Sequence, residues 1–285
     1  MKHIEGEFIG VKGFKIYYQA WIPDTPKAVI QLVHGGFEHS GRYQSVVNEL
    51  VPEGYAIFAD DHRGHGKSEG LRNYVDSFEQ YIEDERLLYQ IIKKHYPYLP
   101  IFMLGHSLGS FIAIYFTEKY ENLLHGLILS GTGTKPGRET SRFLKLIAKG
   151  FSKIAPKMNF NPRLNAKFLS HDPEVVKLYE NDPLVNADKI SARLSYEMVK
   201  NFKHFKTFIG NFKVNLLIQC GSDDKFIKGS KELDDLFKMD DKTIKIYEGL
   251  YHEVYNEIEN NRKVVLKDLR DWLNNHLFVF KSMKK

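Results

Sequence analysis

Residues 101–116, IFMLGHSLGSFIAIYF, decide the fold. Four apolar residues, Ile101 to Leu104, lead into Gly105-His106-Ser107-Leu108-Gly109, and a second apolar run, Phe111 to Phe116, follows at once. The first run is too short for a helix and reads as a buried strand. The second belongs to a stretch, Leu108 to Tyr120, that is apolar nearly all round, as in a helix packed under a sheet. Between them G-x-S-x-G sets a serine on a tight strand-to-helix turn. Side chains at the two glycines would collide with neighbouring backbone, and the helix N-terminus behind the serine favours developing negative charge. A glycine-rich connection with an incidental serine is the plainer reading. The flanking strand and helix are the context that the nucleophile motif requires, and they favour the catalytic one.

The same alternation extends in both directions. Ala28 to Val33, Tyr55 to Ala59, Leu127 to Leu129, Leu216 to Ile218 and Ile244 to Tyr247 are short continuous apolar runs, which suit a parallel sheet covered on both faces. A helix is expected from Ser77, where Ser77 and Gln80 make an S-x-x-Q capping box, through Tyr81, Glu85, Leu88 and Ile92 until Pro97 forbids continuation. Another spans Arg262 to His276, with Val265, Leu269, Trp272 and Leu273 as its apolar stripe. Strand, helix, strand in this order predicts an α/β fold with right-handed crossovers. The N-terminal EFIGVKGFKIYYQAWI reads as a hairpin turning near Lys12-Gly13 at one sheet edge. After Ser130 the alternation stops. The chain is read as a core of residues 1–131 and 207–285, with 132–206 a helical lid inserted after the sixth strand of a mostly parallel sheet.

Composition narrows the class. The 285 residues are 42% hydrophobic and 27% charged, an ordinary globular balance. No apolar run approaches the ~18 residues that span a bilayer, and MKHIEGEF lacks the apolar stretch of a secretory signal. Cys220 is the only cysteine, so a disulfide within the chain and a thiol-rich metal site are excluded, and a reducing cytoplasm is expected. A net charge of +5 gives no reason to expect a nucleic-acid partner.

Serine needs a base, and the base an orienting carboxylate. In this architecture they follow in the order Ser, Asp, His, beyond the ends of late strands. Asp224 lies in Gly221-Ser222-Asp223-Asp224, with Asp223 as its immediate rival. His252 lies in Gly249-Leu250-Tyr251-His252-Glu253, while the other histidines, His125 and His276 among them, read as structural or solvated. The expected roles are Ser107 as nucleophile, His252 as general base then acid, and Asp224 as holder of the imidazole tautomer. His34-Gly35-Gly36 follows the first buried strand, where the backbone N–H groups of Gly36 and Leu108 would form the oxyanion hole. Asp61-His62 and His65 invite a metal reading, but Gly64 and Gly66 interrupt any helix there, so neither metal nor other cofactor is expected.

With these residues in hand, the chain resembles the monoglyceride lipase and lysophospholipase family of α/β-hydrolases. The carriers are HGGFEHSGRY (34–43), DHRGHGKSEG (61–70), GHSLGS (105–110), NDPLV (181–185), GSDDKF (221–226) and YEGLYHEVYNE (247–257). The resemblance assigns the acid to Asp224 rather than Asp223, and marks Gly36 and Leu108 as the oxyanion donors. It makes the DHRGHG loop a brace beside the site. It implies hydrolysis of a carboxylic ester carrying one fatty acyl chain, a monoacylglycerol or lysophospholipid, through an acyl-enzyme on Ser107. The chain departs from the family at Phe37, where glycine is common, and at Leu108, where methionine is usual.

Two rival readings stand beside this one. A peptidase or aminopeptidase on the same scaffold would need a lid carboxylate to hold an amine, with Glu174, Glu180 and Asp188 available. A binding protein without turnover would usually have lost a triad member. From Lys135 to Lys167 nine basic residues face one acid, a net +8 that leaves −3 for the rest of the chain. Arg142, Lys145, Lys149 and Lys153 share one helical face, and Phe143, Ile147, Phe151 and Ile154 the opposite one. Such a helix either packs on the core or lies in an anionic membrane surface, which would place the protein at the inner face of that membrane.

Overall fold

The computed structural model describes residues 1–137 and 149–283, with side chains as far as 277. The strands read from sequence form one eight-stranded sheet. In chain order they are β1 (Lys2–Ile9), β2 (Lys15–Ile22), β3 (Ala28–Val33), β4 (Tyr55–Asp60), β5 (Ile101–His106), β6 (Gly126–Ser130), β7 (Asn215–Gly221) and β8 (Lys242–Tyr247). Their spatial order is β1-β2-β4-β3-β5-β6-β7-β8. Only the pairings of β2, with β1 and with β4, are antiparallel. The expected hairpin is therefore present, and it turns through Lys12 and Gly13, both at positive φ.

β3 to β6 are buried along their whole length because helices cover both faces of the sheet. α2 (Glu79–His95) and α3 (Leu108–Tyr120) pack on one face. α1 (Gln44–Leu50) and the last helix, Glu259–Met283, pack on the other, with Val265, Leu269 and Leu273 fully buried. Each such aliphatic side chain contributes ~1.5–3 kcal/mol when withdrawn from water. α2 begins two residues later than the capping box predicts. The Ser77 hydroxyl accepts the Glu79 N–H at 3.3 Å, and the Gln80 side chain turns back to the Asp76 N–H at 3.0 Å. The two side chains close a turn ahead of the helix instead of capping it.

Between β6 and β7 the described residues hold a helical stretch at 149–154, the helices α4 (Pro173–Asn181) and α5 (Ala192–His204), and a two-residue ladder between Asn159–Phe160 and Ile190–Ser191. Asp172 caps α4 through the Glu174 N–H, and Ser191 caps α5 through the Leu194 N–H. α5 and the turn that follows it are stapled to α3 by aromatic packing, the ring centres of Phe202 and Phe205 lying 4.3 and 5.3 Å from that of Phe111. Three clasps tie the segment before α5 to the core. The Asn186 N–H donates to the Phe37 carbonyl at 3.1 Å, His39 Nε2 lies 2.9 Å from Asp182 Oδ2, and Asn73 Nδ2 donates to the Asn186 carbonyl at 2.6 Å. All three engage the NDPLVN stretch, residues 181–186, at Asp182 or Asn186. Most of the cationic amphipathic helix expected from sequence, Arg142 to Ile147, lies outside the described residues. Of its continuation, 149–154 are helical, and Ile154 is exposed.

Candidate active site

Ser107 sits between β5 and α3 with φ 51° and ψ −116°, a conformation that an L-residue holds only when its surroundings impose it. The motif glycines supply those surroundings. A Cβ on Gly109 would strike the carbonyl oxygens of Val33 and His34, and one on Gly105 would strike Gly109 itself. Backbone packing this close forces the turn. It is pinned from the neighbouring strand by the Ser107 N–H, which donates to the Ser130 carbonyl at 2.9 Å.

The sheet's carboxyl edge gathers the other expected residues, as parallel α/β sheets do. Asp224 and His252 follow β7 and β8 and are both buried. His252 Nδ1–H donates to Asp224 Oδ2 at 2.6 Å, and Asp224 Oδ1 accepts the backbone N–H groups of Phe226 and Ile227 at 2.8 and 3.0 Å. Both carboxylate oxygens are thereby held. Asp223 points to solvent and pairs with Lys225 at 3.7 Å, so geometry separates the two neighbours. His252 reaches the Ser107 turn through Gly131, which follows β6. A Cβ there would lie 2.9 Å from His252 Cε1 and 2.8 Å from His106 Cε1.

Burial disfavours the imidazolium of His252, but Asp224, Glu253 and Glu38 outweigh it and raise its pKa above the ordinary value. Burial likewise opposes ionisation of Asp224, and the His252 ring with the two backbone donors brings its pKa below the usual carboxylate range. Burial pushes His106 down to about 4, so beside His252 it stays neutral.

Gly36 meets Leu108 at the mouth of the turn, where a Cβ on Gly36 would be 3.6 Å from Leu108 Cβ. The two N–H groups expected to form the oxyanion hole thus belong to touching residues. Phe37, the departure noted in the sequence, has φ 69°, in the left-handed region that glycine enters freely. The loop keeps a glycine-like backbone around a phenylalanine, and the Asn186 clasp on its carbonyl helps to hold it.

Sequence reasoning missed a charged network behind this loop. Arg42 grips Glu253 with two bonds, Nη1 to Oε1 at 2.7 Å and Nη2 to Oε2 at 2.8 Å, and donates to Glu38 Oε2 at 2.5 Å. Glu38 Oε1 accepts the Gly35 N–H at 2.6 Å and the Tyr43 hydroxyl at 2.7 Å. The Arg42 guanidinium also lies 4.6 Å from the centre of the Tyr179 ring in α4. Charged residues in glycine-rich loops read as solvated, so no local signal marks these three as buried.

The residues weighed for metal do not gather. Asp61 accepts the Ser40 N–H at 2.8 Å and the Ser40 hydroxyl at 2.6 Å, and His65 Nδ1 lies on the Arg63 carbonyl. His62 instead meets Asp60 and Glu85, with Nδ1 3.3 Å from Asp60 Oδ1 and 3.5 Å from Glu85 Oε1, the one such group among the described residues. Burial and the adjacent Asp60 push the Glu85 pKa well above its ordinary value. His62 also braces the oxyanion loop. Its backbone N–H donates to His34 Nε2 at 2.9 Å, and the two rings stack at 3.7 Å.

The carboxylates proposed for an amine clamp, Glu174, Glu180 and Asp188, are all exposed. Among the described residues no helix is long and apolar enough to cross a membrane.

Known proteins resemble this chain along most of its length. Residues 24–259 match the model of the family described as serine aminopeptidase, S33. A monoacylglycerol lipase of Mycolicibacterium smegmatis is 36% identical over 276 residues, 96% of this chain and 98% of that protein. A phospholipase of Bacillus subtilis is 30% identical over 261 residues, 90% of this chain and 99% of that protein. The crystal structure of the Paleococcus ferrophilus monoacylglycerol lipase superposes with a TM-score of 0.80 at 30% identity, covering 97% of this chain and all of the other.

Proposed function

This chain belongs to the monoglyceride lipase branch of the serine aminopeptidase S33 family of α/β-hydrolases, and we propose that it hydrolyses carboxylic esters of single-acyl-chain lipids through an acyl-enzyme on Ser107. The observation that carries this reading is the buried 2.6 Å hydrogen bond from His252 to Asp224 beside the Ser107 turn. Asp224 holds the imidazole with its Nδ1 proton directed at the carboxylate, which leaves Nε2 free to take the serine proton. The Ser107 oxygen attacks the ester carbonyl, and the N–H groups of Gly36 and Leu108 receive the charge that develops on its oxygen. Protonated His252 gives its proton to the departing alcohol. Water, deprotonated by the same ring, then releases the fatty acid.

The peptidase reading finds less support. The three insertion carboxylates that would bind an amine face solvent, and the buried acids nearest the site, Glu38 and Glu253, are paired with Arg42. Residues 132–206 act as a lid, clasped to the oxyanion loop at Phe37 and His39 and meeting an anionic lipid surface with its cationic face. Exposed Ile154 and Met158 beside Lys153 and Lys157 support that contact.

A fluorophosphonate probe should label the wild-type protein and fail on Ser107→Ala, whose kcat should fall by about 10⁴–10⁶. Release of fatty acid from monoacylglycerols and lysophosphatidylcholines of graded length reads the substrate class. Amino-acid anilides cleaved faster than either lipid would reverse the assignment. For the lid, Lys145→Glu, Lys149→Glu and Lys153→Glu together should weaken binding to anionic vesicles, and unchanged binding rules the contact out.

A further inference from the structure

We propose that Arg42 is a positioning residue that locks the oxyanion loop to the loop of the general base, with Glu38 and Glu253 as its two arms. The inference rests on the reading of His252 as base, and goes beyond it by giving a role to three residues outside the triad and the oxyanion donors. Glu253 directly follows His252, and Glu38 holds the N–H of Gly35, the residue before the oxyanion donor Gly36. One guanidinium therefore joins the stretch that positions the proton acceptor to the stretch that receives the oxyanion. The link bridges 211 positions of sequence. A planar fork with fixed donor directions transmits orientation in a way that a flexible ammonium cannot.

The joint is also fixed at its outer ends. The Glu253 N–H donates to the Leu169 carbonyl at 2.8 Å, and Glu253 Oε2 accepts from Asn256 Nδ2 at 2.9 Å. Tyr43 supplies the second donor to Glu38. All three charged side chains are at least nine-tenths buried, so they lack the solvent freedom of a surface ion pair. Two carboxylates against one guanidinium leave a net single negative charge behind the His252 ring. The ionisable groups that bear most on that ring include Asp224, Glu253, Glu38 and neutral His106. The residual charge favours the imidazolium that forms when Ser107 is deprotonated.

Hydrolysis of p-nitrophenyl butyrate by full-length Glu253→Gln and Arg42→Lys, measured from pH 5 to 9, tests this. Glu253→Gln keeps shape and one acceptor for Arg42 but removes the charge. Its kcat should fall about ten- to a hundredfold with KM within about twofold, because orientation rather than binding is lost. The acidic limb of kcat/KM should move down by about half a pH unit, since less negative charge faces the imidazolium. Arg42→Lys should lower kcat similarly, and Lys267→Ala, in an exposed ion pair, should change neither quantity. If Glu253→Gln does not fold, Glu38→Gln is read against the same two criteria. A folded variant with wild-type kcat and an unmoved acidic limb overturns the proposal while leaving the function intact. Full activity in His252→Ala would instead overturn the assignment of the base.

Discussion

Two buried clusters near the catalytic loops each set two carboxyl groups around one basic side chain, and they behave oppositely. In the first, Arg42 lies between Glu38 and Glu253. Burial opposes the Glu253 carboxylate, but the guanidinium holds its pKa down to about 2. In the second, His62 lies beside Asp60 and Glu85, and Glu85 moves well upward because burial and a neighbouring acid outweigh its hydrogen bond from Gln31. The difference lies in the base. A guanidinium cannot lose its proton and donates through five N–H groups, so it holds Glu253 ionised. The His62 imidazole gives its Nε2–H to the His34 carbonyl at 3.0 Å, so only Nδ1 faces the two carboxyls, and burial with the neighbouring acid raises Glu85 instead. A permanent cation makes a rigid joint between loops, and a titratable one makes a brace whose charge follows pH.

The largest expected effect comes from Arg42→Met, which leaves Glu38 and Glu253 buried together without a cation. Urea unfolding at pH 7 should show a loss of about 3–5 kcal/mol, and a loss below about 1 kcal/mol would erase the distinction between the clusters. A smaller loss, about 1–2 kcal/mol, is expected for Tyr43→Phe, which takes away one of the two donors to Glu38 Oε1 and leaves Arg42 in place. The smallest effect sharpens the second half of the comparison. Unfolded, Glu85 ionises near 4.5, whereas folded it keeps its proton well above that, so wild-type stability is eroded as pH rises between the two values. Glu85→Gln retains a donor and an acceptor and does not titrate. Thermal unfolding should find it equal to wild type at pH 4 and more stable by about 1 kcal/mol at pH 8. A Glu85→Gln protein less stable than wild type at pH 8 would mean that Glu85 is ionised. Glu253 has the opposite sign: its contribution is present above pH 4.5 and lost as pH falls toward 2.

What could be read in advance follows the range of the forces involved. The Ser107 turn was legible because its marks in the sequence lie within five residues: a strand ends, two glycines allow close backbone contact, and a helix begins, although the backbone contacted at Val33 and His34 comes from the end of another strand. The pattern of apolar runs foretold β3 to β6 for the same reason. Asp223 and Asp224 could not be separated on residue type, since the choice depends on which neighbour points inward as the chain leaves β7. The capping box failed by two residues because Gln80 found a nearer backbone donor at Asp76. Phe37 was visible as a departure, but its positive φ was not, because backbone sign at a bulky residue is imposed by the clasp and the packing around it. Gln31, polar in the middle of an apolar strand, shows the limit most plainly. Its partners are the Glu85 carbonyl and carboxyl, from a helix whose sequence gives no hint of that contact.

The order of apolar runs, the glycines of the turn and the presence of a serine, an acid and a histidine at strand ends were determined by the sequence alone, because each depends on neighbours a few residues away. The pairing of Arg42 with Glu253, the choice of Asp224, and the fate of the charge on Glu85 were decided only by tertiary structure. They depend on which distant groups exclude water from a carboxylate and which cation is left beside it. Desolvation and Coulomb energy act across space, and no local pattern of residues records them.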